Sequence, residues 1–327
     1  MKSETSERSR SSDRQSSAHP RSRKPLLVMV GSGVFVLLLT AAYLWLSQSR
    51  PIGDGPAGPA VPAEPFKQPW TSRKVMLVGL GDSVTFGFGA RKGYGYFDRL
   101  QANPADELAD MAGRSLAAVF PNLTVSNLAV SGSISHELEA AQLPLLAAAA
   151  ADVLGWVVMT TGGNDLIHDY GKTPPREQAM YGASWEQAQP WIAAYQQRLH
   201  RIIAGINGKF PGGCHIFIGN IYDPTDGVGD IHRAGLPPWK DGMRILAAYN
   251  KVIEYTASQH ANVHLVNMHA AFLGHGIHCA QFWSKHYDRR DPHYWYYVNL
   301  EDPNERGYDC IRRLFLIEMA KVAPQIQ

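Results

Sequence analysis

Gly81-Asp82-Ser83-Val84-Thr85-Phe86-Gly87 is the stretch on which the reading of this chain turns. The apolar run Val75 to Leu80 precedes it and reads as a buried strand. Two glycines bracket a serine where that strand has to turn. A serine on a tight turn at the carboxyl end of a strand is held out of the sheet, over the crevice where open α/β sheets bind ligands. A hydroxyl there acts as a nucleophile if a base reaches it. The competing reading is a glycine-rich strand-to-helix turn whose Ser or Thr only caps the helix.

Outward from this turn the pattern alternates. Strands are expected at 75–80, 123–128, 153–160, 215–219 and 263–267. Helices are expected over 98–118 with a break at Pro104, over 135–151 with a kink at Pro144, and over 185–209, 239–258 and 305–322. The helix over 185–209 carries apolar residues at helical spacing, among them Tyr195, Leu199, Ile202, Ile203 and Ile206. Short apolar strands alternating with amphipathic helices mean a parallel sheet of about five strands with helices on both faces.

Ahead of this domain the composition changes twice. Residues 1–25 are Ser-rich and basic and are expected to be a disordered cytoplasmic tail. Residues 26–46 carry no charge over a length that matches the roughly 20 residues needed to cross a bilayer. Tyr43 and Trp45 sit at the far end, and the basic residues crowd the near one. This predicts a transmembrane anchor with the N-terminus in the cytoplasm and everything after residue 50 outside. A cleaved signal peptide fits less well, because the apolar core is too long and no small-x-small site follows closely. Residues 47–72, rich in Pro, Gly and Ala, read as an extended linker, which leaves 73–327 as the folded domain. A net charge of +2 gives no reason to expect nucleic acid as a partner. Three cysteines are too few for a disulfide scaffold; Cys279 with Cys310 is the pair that an oxidising compartment would allow.

The polar features converge. Ser83 follows the first strand, Ser131-Gly132-Ser133 the second, and Gly162-Gly163-Asn164-Asp165 the third. Carboxyl ends of neighbouring parallel strands share one crevice. Gly132 leaves a backbone amide open to close approach, and Asn164 offers a side-chain amide. With the Ser83 amide, these would cradle the oxygen that turns negative when a serine attacks an ester carbonyl.

GDSVTFG, the glycine at 132 and GGND at 162–165 resemble the first three blocks of the SGNH (GDSL) hydrolases. The resemblance covers most of 73–327. It implies a flavodoxin-like three-layer α/β/α fold and acyl-ester hydrolysis with no metal or cofactor. By position it makes Ser83 the nucleophile and gives Gly132 and Asn164 the oxyanion. Asp82 is expected to bond turn amides.

The fourth block departs from the family. The expected Asp-x-x-His reads Asn299-Leu300-Glu301-Asp302, although the following Pro303-Asn304 and Gly307-Tyr308 frame matches. Asp302 stands in the histidine slot, and a carboxylate is a poor base unless burial raises its pKa. Three readings stand. A histidine has moved in, from His275, His278, His286 or His293, with His293 nearest in sequence and Asp291 or Asp302 orienting it. Alternatively Asp302 is itself a perturbed base. Or the site is catalytically dead and binds a ligand. The four histidines lack the spacing of a helical HExxH and no carboxylate or cysteine set completes a zinc site, so no metal is expected. The aromatic segment 282–297 and the long connections 166–184 and 222–240 are expected to wall the substrate site.

The reading is a membrane-anchored serine esterase, outside the cytoplasm, hydrolysing or transferring acyl groups on an acylated envelope carbohydrate or a lipid. The alternative is an SGNH-fold pseudoenzyme that binds carbohydrate or a partner.

Overall fold

The computed structural model describes residues 24–326, excluding the side chains of 24–28, 30 and 31. The expected disordered tail over 1–25 therefore lies almost wholly outside the described residues. Two units are distinguished, one ending at Leu46 and one spanning Ser47–Gln327. Residues 26–46 do fall on a single helix, α1, Lys24–Gln48. Among the described residues, however, no helix is long and apolar enough to cross a membrane.

In the second unit the strands are β1 (Lys74–Gly81), β2 (Leu123–Asn127), β3 (Val153–Thr160), β4 (Cys214–Gly219) and β5 (Val263–Val266). They form one parallel sheet in the order β2-β1-β3-β4-β5. Each strand lies within a residue or so of its expected place, because continuous apolar runs are what a sheet covered on both faces requires. On one face Val75, Leu77, Trp156, Val158, Phe217 and Val266 are buried against the C-terminal helix. On the other, Val78, Leu80, Val157, Met159, Ile216 and Ile218 are buried beneath two long helices. The result is three layers, α/β/α.

Four helices matter for the site. α2 (Ser83–Phe86) is one turn. α3 (Trp185–Lys209) begins with a capping box between Ser184 and Gln187, and buries Tyr195, Leu199, Ile202, Ile203 and Ile206 as its spacing predicts. α4 is Gly242–Ser258 and α5 is Glu305–Val322. Two expected helices are mostly lost. The stretch 98–118 keeps Tyr96–Gln101 and Leu116–Val119, with turns between them around Pro104 and Gly113. The stretch 135–151 ends at Leu145 after a π-helical turn at Leu138–Gln142.

Residues 51–72 are not an extended spacer. Ala57, Val61, Phe66 and Trp70 are buried in the core with the C-terminal helix. Trp70 meets Phe120 and Trp156 at ring separations of 5.3 and 6.1 Å, and its indole N–H donates to the Pro65 carbonyl at 2.7 Å. The Ala57 amide donates to Asp309 on α5 at 3.0 Å, and Arg306 donates to the Gly55 carbonyl at 2.8 Å. Composition rich in Pro and Gly hides such a strap, because single aromatic anchors carry no period. The three cysteines are buried and free, so Cys279 and Cys310 are unpaired.

The strap gives a first prediction. Trp70→Ala lowers the unfolding free energy by about 3–5 kcal/mol in guanidinium titration, the usual cost of emptying a core aromatic site. A solvated linker would leave it within about 0.5 kcal/mol.

Candidate active site

The turn after β1 is fixed by sterics. Gly81 has φ +117°, and a Cβ there would stand 1.8 Å from the Thr160 carbonyl oxygen. Its amide and carbonyl are clamped by one side chain: Gln142 accepts at 2.8 Å and donates at 2.7 Å. Asp82 caps the turn by accepting from the Val84 amide at 3.1 Å. The Ser83 carbonyl closes it by accepting from the amides of Gly87 and Phe88 at 2.8 and 3.0 Å. Asn127, at the end of β2, donates to the Thr85 carbonyl at 3.0 Å and ties the neighbouring strand to the same turn.

Register brings the third block alongside. Gly81 of β1 pairs with Thr160 of β3, so the chain leaving each strand emerges at the same height. Gly162 takes φ +96°, where a Cβ would strike the Tyr195 hydroxyl at 2.7 Å. Asn164 is buried and donates one amide hydrogen to the Ser133 carbonyl at 3.0 Å. An amide has two donors, so a second is free of that bond. Asp165 is structural: it accepts from the Ser135 amide and hydroxyl at 2.8 and 2.5 Å, which pins the second block to the third.

Ser83 and Asn164 line one cleft of about 160 Å³. Gly132 does not line it; it sits at φ +81° beside Ser133, on the loop that holds Asn164. The cleft is walled by the connections after β3 and β4, through residues such as Leu166, Tyr181 and Trp239, as expected for 166–184 and 222–240. The aromatic segment is mostly core: Tyr294, Trp295 and Tyr296 are buried, while Phe282 and Trp283 are exposed.

No proposed histidine reaches the serine. His293 bonds Asp291 at 2.5 Å, and Asp291 is held in turn by Arg306 at 2.6 Å. His275 stacks on Trp295 at 3.4 Å between ring centroids and bonds the His293 carbonyl. His278 bonds Asp230 at 2.8 Å. His286 lies beside Gly227. None of these four is among the residues that line the cleft. Among the described residues there is also no His, Cys, Asp and Glu grouping fit for a metal.

The group that meets Ser83 is Asp302. It sits on a tight loop in which the Tyr297 amide donates to the Asp302 carbonyl at 2.7 Å and Leu300 takes φ +67°. The carboxyl is 2% exposed. Asn299 donates to its Oδ2 at 2.7 Å. Burial raises the Asp302 pKa, and contacts with the Ser83 hydroxyl and Asn299 pull it part of the way back. Oδ1 has no hydrogen-bond partner and no access to solvent. Together these describe a hydroxyl within reach but not aligned, which is common in sites without substrate. Asn299 and Asp302 thus occupy the two fourth-block slots and pair with each other.

Asp82 and Glu301 line the cleft, and both have raised pKa values. Burial pushes Asp82 up to about 7, against the hydrogen bond it accepts from Thr160, with Asp302 adding to the rise. Burial, then the charge of Asp302, raises Glu301 to about 7. Glu301 and Gln142 were not singled out in the sequence; the signal for Glu301 was the acidic pair at 301–302.

A family model, GDSL-like Lipase/Acylhydrolase, matches residues 80–310. The chain belongs to that family. No curated protein matches it. Solved structures with a similar fold include a member of the lipolytic G-D-S-L family from Veillonella parvula, at 13% identity and a TM-score of 0.44 over 74% of this chain and 96% of that one. An acetylxylan esterase from Geobacillus stearothermophilus stands at 20% and 0.45, over 76% and 94%. A lipase from a goat rumen metagenome stands at 14% and 0.44, over 78% and 99%. Likenesses this remote carry no argument about substrate.

Gly81→Ala destabilises the fold by about 3 kcal/mol or more, since it combines a positive φ with a backbone clash. A melting temperature within a degree of wild type would refute the steric reading of the turn.

Proposed function

We propose that this family member is a serine acyl-ester hydrolase whose general base is Asp302, oriented by Asn299. The observation that carries the reading is the meeting of Ser83 with a buried carboxylate where the family resemblance implies a histidine. In the acylation step the Ser83 Oγ–H proton passes to Asp302 as Oγ bonds the ester carbonyl carbon. The carbonyl oxygen takes the negative charge and is held by Asn164 and the Ser83 backbone amide, both at the cleft. The intermediate collapses, the C–O bond to the alcohol breaks, and Asp302 returns the proton to that alcohol. Water then repeats the sequence on the acyl-enzyme. A sugar hydroxyl in place of water makes the step an acyl transfer.

A carboxylate suits this role only if its pKa is lifted toward the working pH. Burial supplies the lift, and Asn299 supplies orientation as the third member of a triad does. Two observations favour the second reading, a ligand-binding module without turnover: among the described residues no imidazole lines the cleft, and one Asn164 hydrogen is already used on Ser133.

The test is hydrolysis of p-nitrophenyl acetate by the full-length chain. Ser83→Ala falls to background. Asp302→Asn falls by about 10²–10⁴-fold, the usual worth of a positioned base. His293→Ala stays within about twofold. Equal rates for wild type and Ser83→Ala would leave only the binding module. The sign of the pH dependence follows from the raised Asp302 pKa. The base works only when ionised, so kcat/KM rises with pH, along a limb lying above the ordinary carboxylate range. His293→Ala leaves that limb where it is.

The reading includes a membrane anchor over 26–46 and a domain outside the cytoplasm, supported by the uncharged stretch and its basic flank. The substrate is then an acyl ester of an envelope glycan or a lipid. A reporter fused after residue 327 is active only outside the cytoplasm; activity confined to the cytoplasm would reverse the orientation.

A further inference from the structure

The two sides of Ser83 differ in kind. On one side the cleft is partly open and mostly apolar, walled by Leu166, Ile167, Tyr181, Trp239, Met243 and Leu246. On the other, Phe86, Phe88, Val130 and Val298 are exposed, with Phe88 packed edge-on against Tyr297 at 6.1 Å. An open rim tolerates a partner of any size. A walled cleft limits it.

The walled side begins at the oxyanion residue. Asn164, Leu166 and Ile167 belong to the same short helix, Gly163–Ile167. A carbonyl oxygen held by Asn164 therefore brings its own carbon chain against that helix and into the cavity. An acetyl group would leave the remainder empty. A cavity of about 150 Å³ lined by aliphatic and aromatic side chains holds a six-carbon ring, and this one measures about 160 Å³. Resting on the esterase reading, we propose that the acyl group transferred by Ser83 is an aliphatic chain of about six carbons, seated in the cavity between the Gly163–Ile167 helix and the start of α4, with the alcohol part left on the exposed rim.

Each methylene moved from water into such a wall contributes roughly a fourfold gain. For p-nitrophenyl esters presented to the full-length chain, kcat/KM therefore climbs from acetate to hexanoate by on the order of 10²-fold, and stops climbing by dodecanoate. Met243→Trp fills the cavity from α4 and removes the advantage of hexanoate over acetate. A second arm varies the alcohol: acetate esters of methanol and hexanol turn over within about threefold of each other. A preference for acetate, or a chain-length gain on the alcohol side only, would overturn the assignment while leaving Ser83 an esterase nucleophile. If no ester is hydrolysed, the esterase reading has failed instead. The seat is then tested by titrating Ser83→Ala protein calorimetrically with hexanoate and acetate. Hexanoate binding tighter by on the order of 10²-fold supports the seat, and equal or absent binding overturns it.

Discussion

A single close approach organises the site: strand β1 ends where its backbone lies against the Thr160 carbonyl, with no room for a side chain at Gly81. Parallel pairing then sets Gly81 opposite Thr160, so the turns bearing Ser83 and Asn164 leave the sheet level with each other. Gln142 holds both polar groups of Gly81 and also donates to the Ser133 hydroxyl at 3.0 Å, which adds the second block to the assembly. The nucleophile turn is thus held by the β3 backbone at Thr160 and by the Asn127 and Gln142 side chains rather than by its own short helix.

The electrostatics follow from how dry this junction is. A carboxylate in water has little appetite for a serine proton. Asp302 is out of water, and its charge is met by one amide from Asn299 rather than by a guanidinium. Asp309, by contrast, lies between Arg312 and Arg313 on α5, at 2.6 and 2.9 Å, and its charge is compensated there. Asp82 and Glu301, beside Asp302, likewise have pKa values raised by burial first.

Much of the fold was legible because two-sided burial writes itself as continuous apolar runs. β3 and α5 fall where the sequence puts them, and the α3 stripe is read directly from its spacing. The short helices around Pro104 and Pro144 were not, since tertiary packing ends them earlier than their propensities require. The strap failed for the opposite reason: Trp70 and Phe66 are isolated anchors in a stretch whose composition says solvent. At the site, glycine and asparagine positions carried their own geometric reasons. The base did not. Nothing in a one-dimensional reading distinguishes His293, tied to Asp291, from a histidine over the cleft; and the bond from Asn299 to Asp302 exists only once the loop has closed.

The hydroxyls behind Asp82 have one further consequence. Thr160 donates to Asp82, Thr160 and Thr85 share a bond of 2.7 Å, and Thr85 shares another of 2.7 Å with Tyr96. Each hydroxyl has one hydrogen to give. Once Thr160 spends its own on Asp82, Thr85 has to point at Thr160 and Tyr96 at Thr85. The row is therefore polarised in one direction, from a phenol stacked on Phe315 of the C-terminal helix to the residue beside the nucleophile. Protonating Asp82 frees the whole row to reverse, so a single proton at the turn resets the orientation of three dipoles reaching under α5.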